Sequence, residues 1–156
     1  MGWRNHKTRY LVSACLAGCS TNLCGSTSRN DTVADWHRRG LAVAVCPEQL
    51  GGLSTPRPAA EIRGGSGSDV ITGSARVASI DGNDVTEQFT RGAKATLEIA
   101  RVIKPDFVVL KERSPSCGVH RIYDGSFSGT ISEGCHGVTA GLLMKEGFIV
   151  LSEDDI

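Results

Sequence analysis

An α/β fold built around a mostly parallel sheet is predicted by two features of the chain. Short apolar runs of buried-strand length (Tyr10 to Ala14, Leu41 to Val45, Phe107 to Leu110, Phe148 to Leu151) recur along it. Between them lie stretches of helical periodicity, and strands alternating with helices pack as a sheet covered by helices. A length of 156 residues suits one domain with its own core, and no internal repeat marks a second.

Tyr10 to Ala14 forms the first strand and ends at Cys15; a loop rich in Ser, Thr, Cys and Gly follows from Leu16 to Ser28. Asp31 and Thr32 are suited to cap a short helix through Trp36 to Arg39, which Gly40 stops. Leu41 to Val45 then runs unbroken to Cys46, where Pro47 prevents simple continuation. Gly51, Gly52, Gly64, Gly65 and Gly67, with Pro56 and Pro58, give 51–68 the composition of a long loop. Ser74 to Ile80 reads as a strand and Asp81-Gly82 as a turn. The longest helix opens on a capping-box-like pair, Asp84 and Glu87. Val85, Phe89, Ala93, Leu97, Ala100 and Ile103 fall on one face of it, and Lys104-Pro105 ends it. Phe107 to Leu110 is a buried strand leading into Ser114-Pro115-Ser116-Cys117-Gly118; Tyr123 to Ser126 is a turn. Gly137 to Glu146 forms the last helix, closed by Gly147, and Phe148 to Leu151 the last strand. The expected organisation is a single domain over 10–156, with a Rossmann-like sheet flanked by helices, behind a loose polar arm at 1–9.

Lys plus Arg and Asp plus Glu number 17 each, so the formal net charge is zero. Such a balance gives no general attraction for nucleic acid or for an anionic membrane. No apolar run approaches the ~20 residues that span a bilayer, and no signal-peptide core follows the basic N-terminus. The opening Met-Gly lacks a myristoylation motif, because His6 stands where Ser or Thr is needed. A cytoplasmic protein is expected. Disulfides rarely persist there, so the six cysteines point to metal binding or catalysis, with some of them serving as small buried hydrophobes.

Cys15, Cys46 and Cys117 each lie at or shortly after the C-terminal end of an expected strand. In open parallel sheets those ends line one edge, where ligand crevices form. Three thiolates converging there suit a metal centre with one open coordination place. Local spacing excludes several familiar sites. There is no C-x-x-C pair of a zinc ribbon or thioredoxin-type centre. The Cys15, Cys19, Cys24 spacing misses the ferredoxin run, and Cys24 to Arg29 is one residue short of a cysteine-phosphatase loop.

At these residues the chain resembles the 2-thiouracil desulfidase family. The successive signatures are Val12-Ser13-Ala14-Cys15-Leu16, Cys46-Pro47-Glu48, Gly51-Gly52-Leu53-Ser54-Thr55-Pro56-Arg57 and Ser114-Pro115-Ser116-Cys117-Gly118. Ile122-Tyr123-Asp124-Gly125 and Gly137-Val138-Thr139-Ala140 continue the match, which covers nearly everything after Arg9. The resemblance implies a [4Fe–4S] cluster held by Cys15, Cys46 and Cys117, with Glu48 and Ser114 in proton transfer. It implies a small thiolated pyrimidine as substrate, converted to the oxo form with release of sulfide and without net electron transfer. The sequence departs from the family after Cys15. Members usually show C-L-L-G-x-x-C-R-Y-D-G, whereas Thr21 here stands at the second cysteine unless Cys24 fills that role.

Each residue also has a plainer reading. Glu48 also reads as a helix-start carboxylate, although its place two residues after Cys46 favours catalysis, and Ser114 reads equally as a turn residue before proline. Arg57 is expected to brace the glycine-rich loop; Cys19, Cys24 and Cys135 are expected to be structural, and His120 and His136 surface or satisfied histidines. The rivals to the enzyme reading are a non-catalytic iron–sulfur module and a zinc protein whose thiolates fix the fold.

Overall fold

A computed structural model describes residues 9–156. The expected N-terminal arm therefore lies outside the described residues except for Arg9, whose N–H donates to Leu41 O and whose carbonyl accepts from Asp106 and Phe107. In chain order the elements are β1 (Tyr10–Ser13), α1 (Asp31–Arg38), β2 (Ala42–Val45), α2 (Pro47–Leu50), β3 (Ala60–Arg63), α3 (Gly67–Thr72) and β4 (Arg76–Ser79). There follow α4 (Thr86–Ile103), β5 (Phe107–Leu110), β6 (Arg121–Tyr123), β7 (Ile131–Glu133), α5 (Val138–Lys145), β8 (Val150–Ser152) and a 3₁₀ turn at Glu153–Asp155.

The central sheet has the order β2-β1-β5-β8 and is parallel throughout. Parallel strands need cover on both faces, and Leu11, Val12, Val108 and Val109 are fully buried. One face carries the main core, in which Leu11, Val108 and Leu110 meet Phe89, Ala93 and Leu97 of α4 and Leu143 of α5. On the other face Val12, Ala42 and Val109 pack against Val33 of α1, and Tyr10 stacks on Trp36 with ring centroids 4.1 Å apart.

The expected α/β class and the apolar stripe of the long helix hold; several local expectations need correction. Asn30, not Asp31 or Thr32, caps α1: its Oδ1 accepts from Val33 N at 3.2 Å, while Asp31 pairs with Arg29. The capping box at Asp84 and Glu87 does not form. Asp84 accepts from Thr86 N and pairs with Arg76, and Glu87 pairs with Arg91 one turn on. The stretch 51–68 is not all loop, since it contains β3, antiparallel to β4 outside the central sheet. A second antiparallel pair, β6 with β7, frames the turn at 124–126. The last strand begins two residues later than its apolar run, at Val150.

Two glycines fix the depth of α2 against α4. A Cβ on Gly92 would stand 1.9 Å from Pro47 O, and one on Gly51 would stand 1.9 Å from Gln88 O. Only hydrogen fits between these backbones. This close approach seats the short helix that carries Glu48 directly beyond the end of β2.

Candidate active site

The C-terminal ends of β1, β2 and β5 open on one cleft of about 440 Å³. Ser13, Ala14 and Cys15 enter it from the end of β1, Cys46 and Glu48 from the β2–α2 junction, and Lys111 to Cys117 from the segment after β5. All three strand-end cysteines thus line one pocket, as the sheet order requires of parallel neighbours. Two of them are electrostatically linked to a neighbour. Burial pushes the Cys15 thiol up to about 11, with Cys46 adding to the rise and Lys111 opposing it. Burial pushes Cys117 up to about 12; a bond from Ser13 opposes this, and Glu48 and Cys15 add to it. Burial thus favours the protonated form of Cys15 and Cys117, and a bound metal would displace those protons.

Glu48 stands in the first turn of α2, behind Pro47 at the helix start. Its Oε1 accepts from Arg57 Nε at 3.0 Å in a pair with side chains only 14% and 5% exposed. Its Oε2 accepts from Ser116 Oγ at 2.9 Å. Ser116 Oγ lies 3.0 Å from Ser114 Oγ and 3.5 Å from Cys117 Sγ. With the Ser116 proton directed to Glu48, the Ser114 hydroxyl is left to donate to Ser116, giving a chain Ser114–Ser116–Glu48. Ser114 Oγ also accepts from the backbone N–H groups of Ser116 and Cys117, which fixes the turn.

Arg57 does more than brace its loop. Besides Glu48 and Thr55 Oγ1, it donates to Thr21 O at 2.9 Å and approaches Cys46 Sγ at 3.9 Å. It thereby ties together the glycine-rich segment, the loop after β1 and the cysteine after β2. Thr21 lines the pocket at the point where the sequence departs from the family pattern, and Cys24 lines it as the exposed one of the six cysteines. Cys135 packs against the main core. His120 pairs with Asp155 and His136 with Ser68.

Three contributors carried no signal in the sequence. Ser116 looks like a turn residue beside Pro115, and its partner Glu48 is 68 positions away. Lys111 and Glu112 follow the apolar run of β5 as ordinary polar residues, yet both line the pocket. Glu112 is 2% exposed. Burial raises its carboxyl, but bonds from the backbone N–H groups of His120, Val119, Arg121 and Arg113 outweigh that, and the net shift is downward.

Could these residues hold the cluster that the resemblance implies? Among the described residues no three His, Cys, Asp or Glu side chains form a group suited to a single metal ion. The pocket instead brings Cys15, Cys46 and Cys117 from three strand ends, with Cys24 from the loop after β1 and no imidazole among the lining residues. Soft, all-thiolate donors are those of iron–sulfur clusters. The residues fit such a group.

A parallel α/β framework whose strand ends deliver three thiols and a hydrogen-bonded carboxylate to one cleft is that of a thiol-lined enzyme. The model of the 2-thiouracil desulfurase family matches residues 10–155, and the chain belongs to that family of carbon–sulfur bond-cleaving enzymes. It is 46% identical over 146 residues to the uncharacterised protein YbbK of Bacillus subtilis (strain 168), covering 94% of this chain and 96% of that one. It is also similar to the solved structure of TudS, a [4Fe-4S]-dependent thiouracil desulfidase. The TM-score is 0.83 at 39% identity, over 96% of this chain and 93% of TudS. Among the described residues no helix is long and apolar enough to cross a membrane.

Proposed function

We propose that this chain removes sulfur from 2-thiouracil or a related thiolated pyrimidine, using a [4Fe–4S] cluster held by Cys15, Cys46 and Cys117. The observation that carries this reading is the meeting of those three thiols with the Ser114–Ser116–Glu48 chain in one cleft. Family membership and the name of the TudS structure support it. When bound, the cluster supplies a soft Lewis-acidic iron suited to a thiocarbonyl sulfur.

The remaining steps fall to the protein. Glu48 has one donor on each oxygen and keeps lone pairs for a water. It takes a proton from that water as the oxygen attacks the ring carbon. Ser114, linked to Glu48 through Ser116, passes a proton toward the departing sulfur or the ring nitrogen beside it. The balance is thione plus water giving the oxo pyrimidine plus hydrogen sulfide, with no electron transferred. The substrate is a small molecule; the zero net charge supplies no attraction for a polyanion. Function in the cytoplasm follows from reliance on free thiols.

The test is anaerobic loading of the full chain with iron and sulfide, followed by incubation with 2-thiouracil. Uracil and sulfide in equal amounts, from the wild type but not from Cys46→Ala, support the reading. A fully loaded protein that leaves every thiopyrimidine unchanged overturns it.

A further inference from the structure

The segment after β5 leaves the sheet at Lys111, carries Ser114, Ser116 and Cys117 into the cleft, and ends at Arg121, where β6 begins. Both of its ends converge on one atom. Glu112 Oε1 accepts from Arg113 N at 3.4 Å on the outgoing side. On the returning side it accepts from Val119 N at 2.8 Å, His120 N at 3.0 Å and Arg121 N at 3.2 Å. Glu112 Oε2 is buried without a partner among the described residues. A second set of contacts closes the same base from outside. Glu153 pairs with Lys111 and accepts from Glu112 N, Asp154 pairs with Arg121, and Asp155 pairs with His120. The middle of the segment rests on α5, where Val138 N donates to Pro115 O, and Thr139 N and Ala140 N donate to Ser116 O.

We propose that Glu112 is a positioning residue for Cys117: its buried carboxylate ties the two ends of the 113–121 segment and so fixes the thiol before anything binds. The importance of that thiol rests on the cluster reading above, but the positioning itself does not. Hydrogen bonds to an ionised acceptor are about twice as strong as neutral ones, so one carboxylate can reinforce the isolated bridge between Arg113 and Ile122 at this point. The α5 contacts hold Pro115 and Ser116; Val119, His120 and Arg121 meet Glu112, and Gly134 N, β7, Asp154 and Asp155 add further ties to the last two.

The experiment is residue-resolved maleimide labelling of the full chain by mass spectrometry, before loading, in the wild type, Glu112→Ala, Glu112→Gln and Leu97→Ala. Removing an acceptor of charge-assisted bonds is expected to raise Cys117 labelling at least ~10-fold in Glu112→Ala. Cys15 and Cys46 should change less than about threefold, as expected for sites that do not share this bond network. Glu112→Gln keeps an acceptor oxygen but puts an unpaired NH₂ in place of Oε2, so it should lie between, with a rise still selective for Cys117. Leu97→Ala opens the main core from α4 while leaving the Glu112 bonds in place, and should not single out Cys117. If Glu112→Ala does not fold, the selective rise in Glu112→Gln decides. Equal rises at all three cysteines, no rise at Cys117 in any folded Glu112 variant, or the same selective rise in Leu97→Ala would overturn the proposal. After loading, Glu112→Ala should also lose iron to a chelator about 10-fold faster, within the range for removing a residue that supports a ligand. A wild type that takes up no iron would count against the cluster reading alone, because the labelling result stands without it.

Discussion

The loops after β1 and after β5 each deliver one of the three strand-end cysteines to the cleft, and they are built differently. The loop after β5 is held by charge. Four backbone N–H groups share the Glu112 carboxylate, three acidic residues at the C-terminus pair with Lys111, His120 and Arg121, and Cys117 is only 4% exposed. The loop after β1 is held mostly by neutral bonds, with the Arg57 guanidinium donating to Thr21 O as a charged tie from outside it. Ser28 N donates to Cys15 O, Asn30 N donates to Leu16 O, and Asn22 bonds with Ser26. Cys15 is half-buried there and Cys24 is exposed. This more open loop is also where the sequence departs from the family pattern, at Thr21. The cleft thus has one wall buried under a charged bond network and one more open wall, and it is the more open wall, beyond Cys15, that carries the departure at Thr21.

The sharpest way to break this contrast is to remove the cysteine of the buried wall. Cys117→Ala should take iron content from about four per chain to below about one. Its rate of sulfide release should fall by more than the ~100-fold that loss of a mere supporting partner costs. Next comes Glu48→Ala, expected to lower the rate by roughly 10²–10⁴-fold, the usual worth of a general base. Its iron content should be kept, and iron analysis beside product assay separates the two effects. Ser116→Ala removes the link between Ser114 and Glu48 and should cost about 10–100-fold, the equivalent of a hydrogen bond to a charged group. On the more open wall Cys24→Ser should change iron content and rate by no more than about twofold, as surface substitutions do. A large loss of iron in that variant would make Cys24 a member of the site and remove the contrast.

The smallest effect concerns the acidic clasp. His120 is raised above its ordinary 6.5, chiefly by its bond to Asp155. Its contribution to stability is therefore full below 6.5 and is lost as pH rises through the raised value. Asp155 is lowered from 3.8, first by the Ser152 backbone N–H, with His120 adding to the effect. Its contribution is present above 3.8 and is lost as pH falls through the lowered value. The pair is thus strongest between those limits. The melting temperature of the wild type should fall more steeply than that of Asp155→Asn as pH is raised above 6.5. Parallel slopes in a thermal-shift series would remove His120 from the clasp.

What the sequence makes legible is what a single segment can carry. The three cysteines stand out because each terminates or follows an apolar run that can only be a buried strand. Parallel topology then brings those ends to one edge. The helical stripe from Phe89 to Ala100 is legible for the same reason, its period being written in consecutive residues. The strand Ala60–Arg63 is not, because only Ile62 gives it an apolar signal and proline and glycine crowd both sides. Nor are Ser116 and Glu112 legible. One acts through Glu48, far away in sequence, and the other through backbone N–H groups, which leave no trace in side-chain identity. Arg57 falls between: its bracing role follows from the loop around it, but its bond to Glu48 needs α2 seated against α4.

The central claim is that the three strand-end thiols hold the cluster with which this chain removes sulfur. Its most direct test is anaerobic iron and sulfide analysis with a visible spectrum, followed by conversion of 2-thiouracil on the same sample. About four irons per chain, a brown chromophore, and uracil with equimolar sulfide are expected, all lost together in Cys117→Ala. A colourless zinc protein, or a full cluster that leaves 2-thiouracil intact, would contradict it.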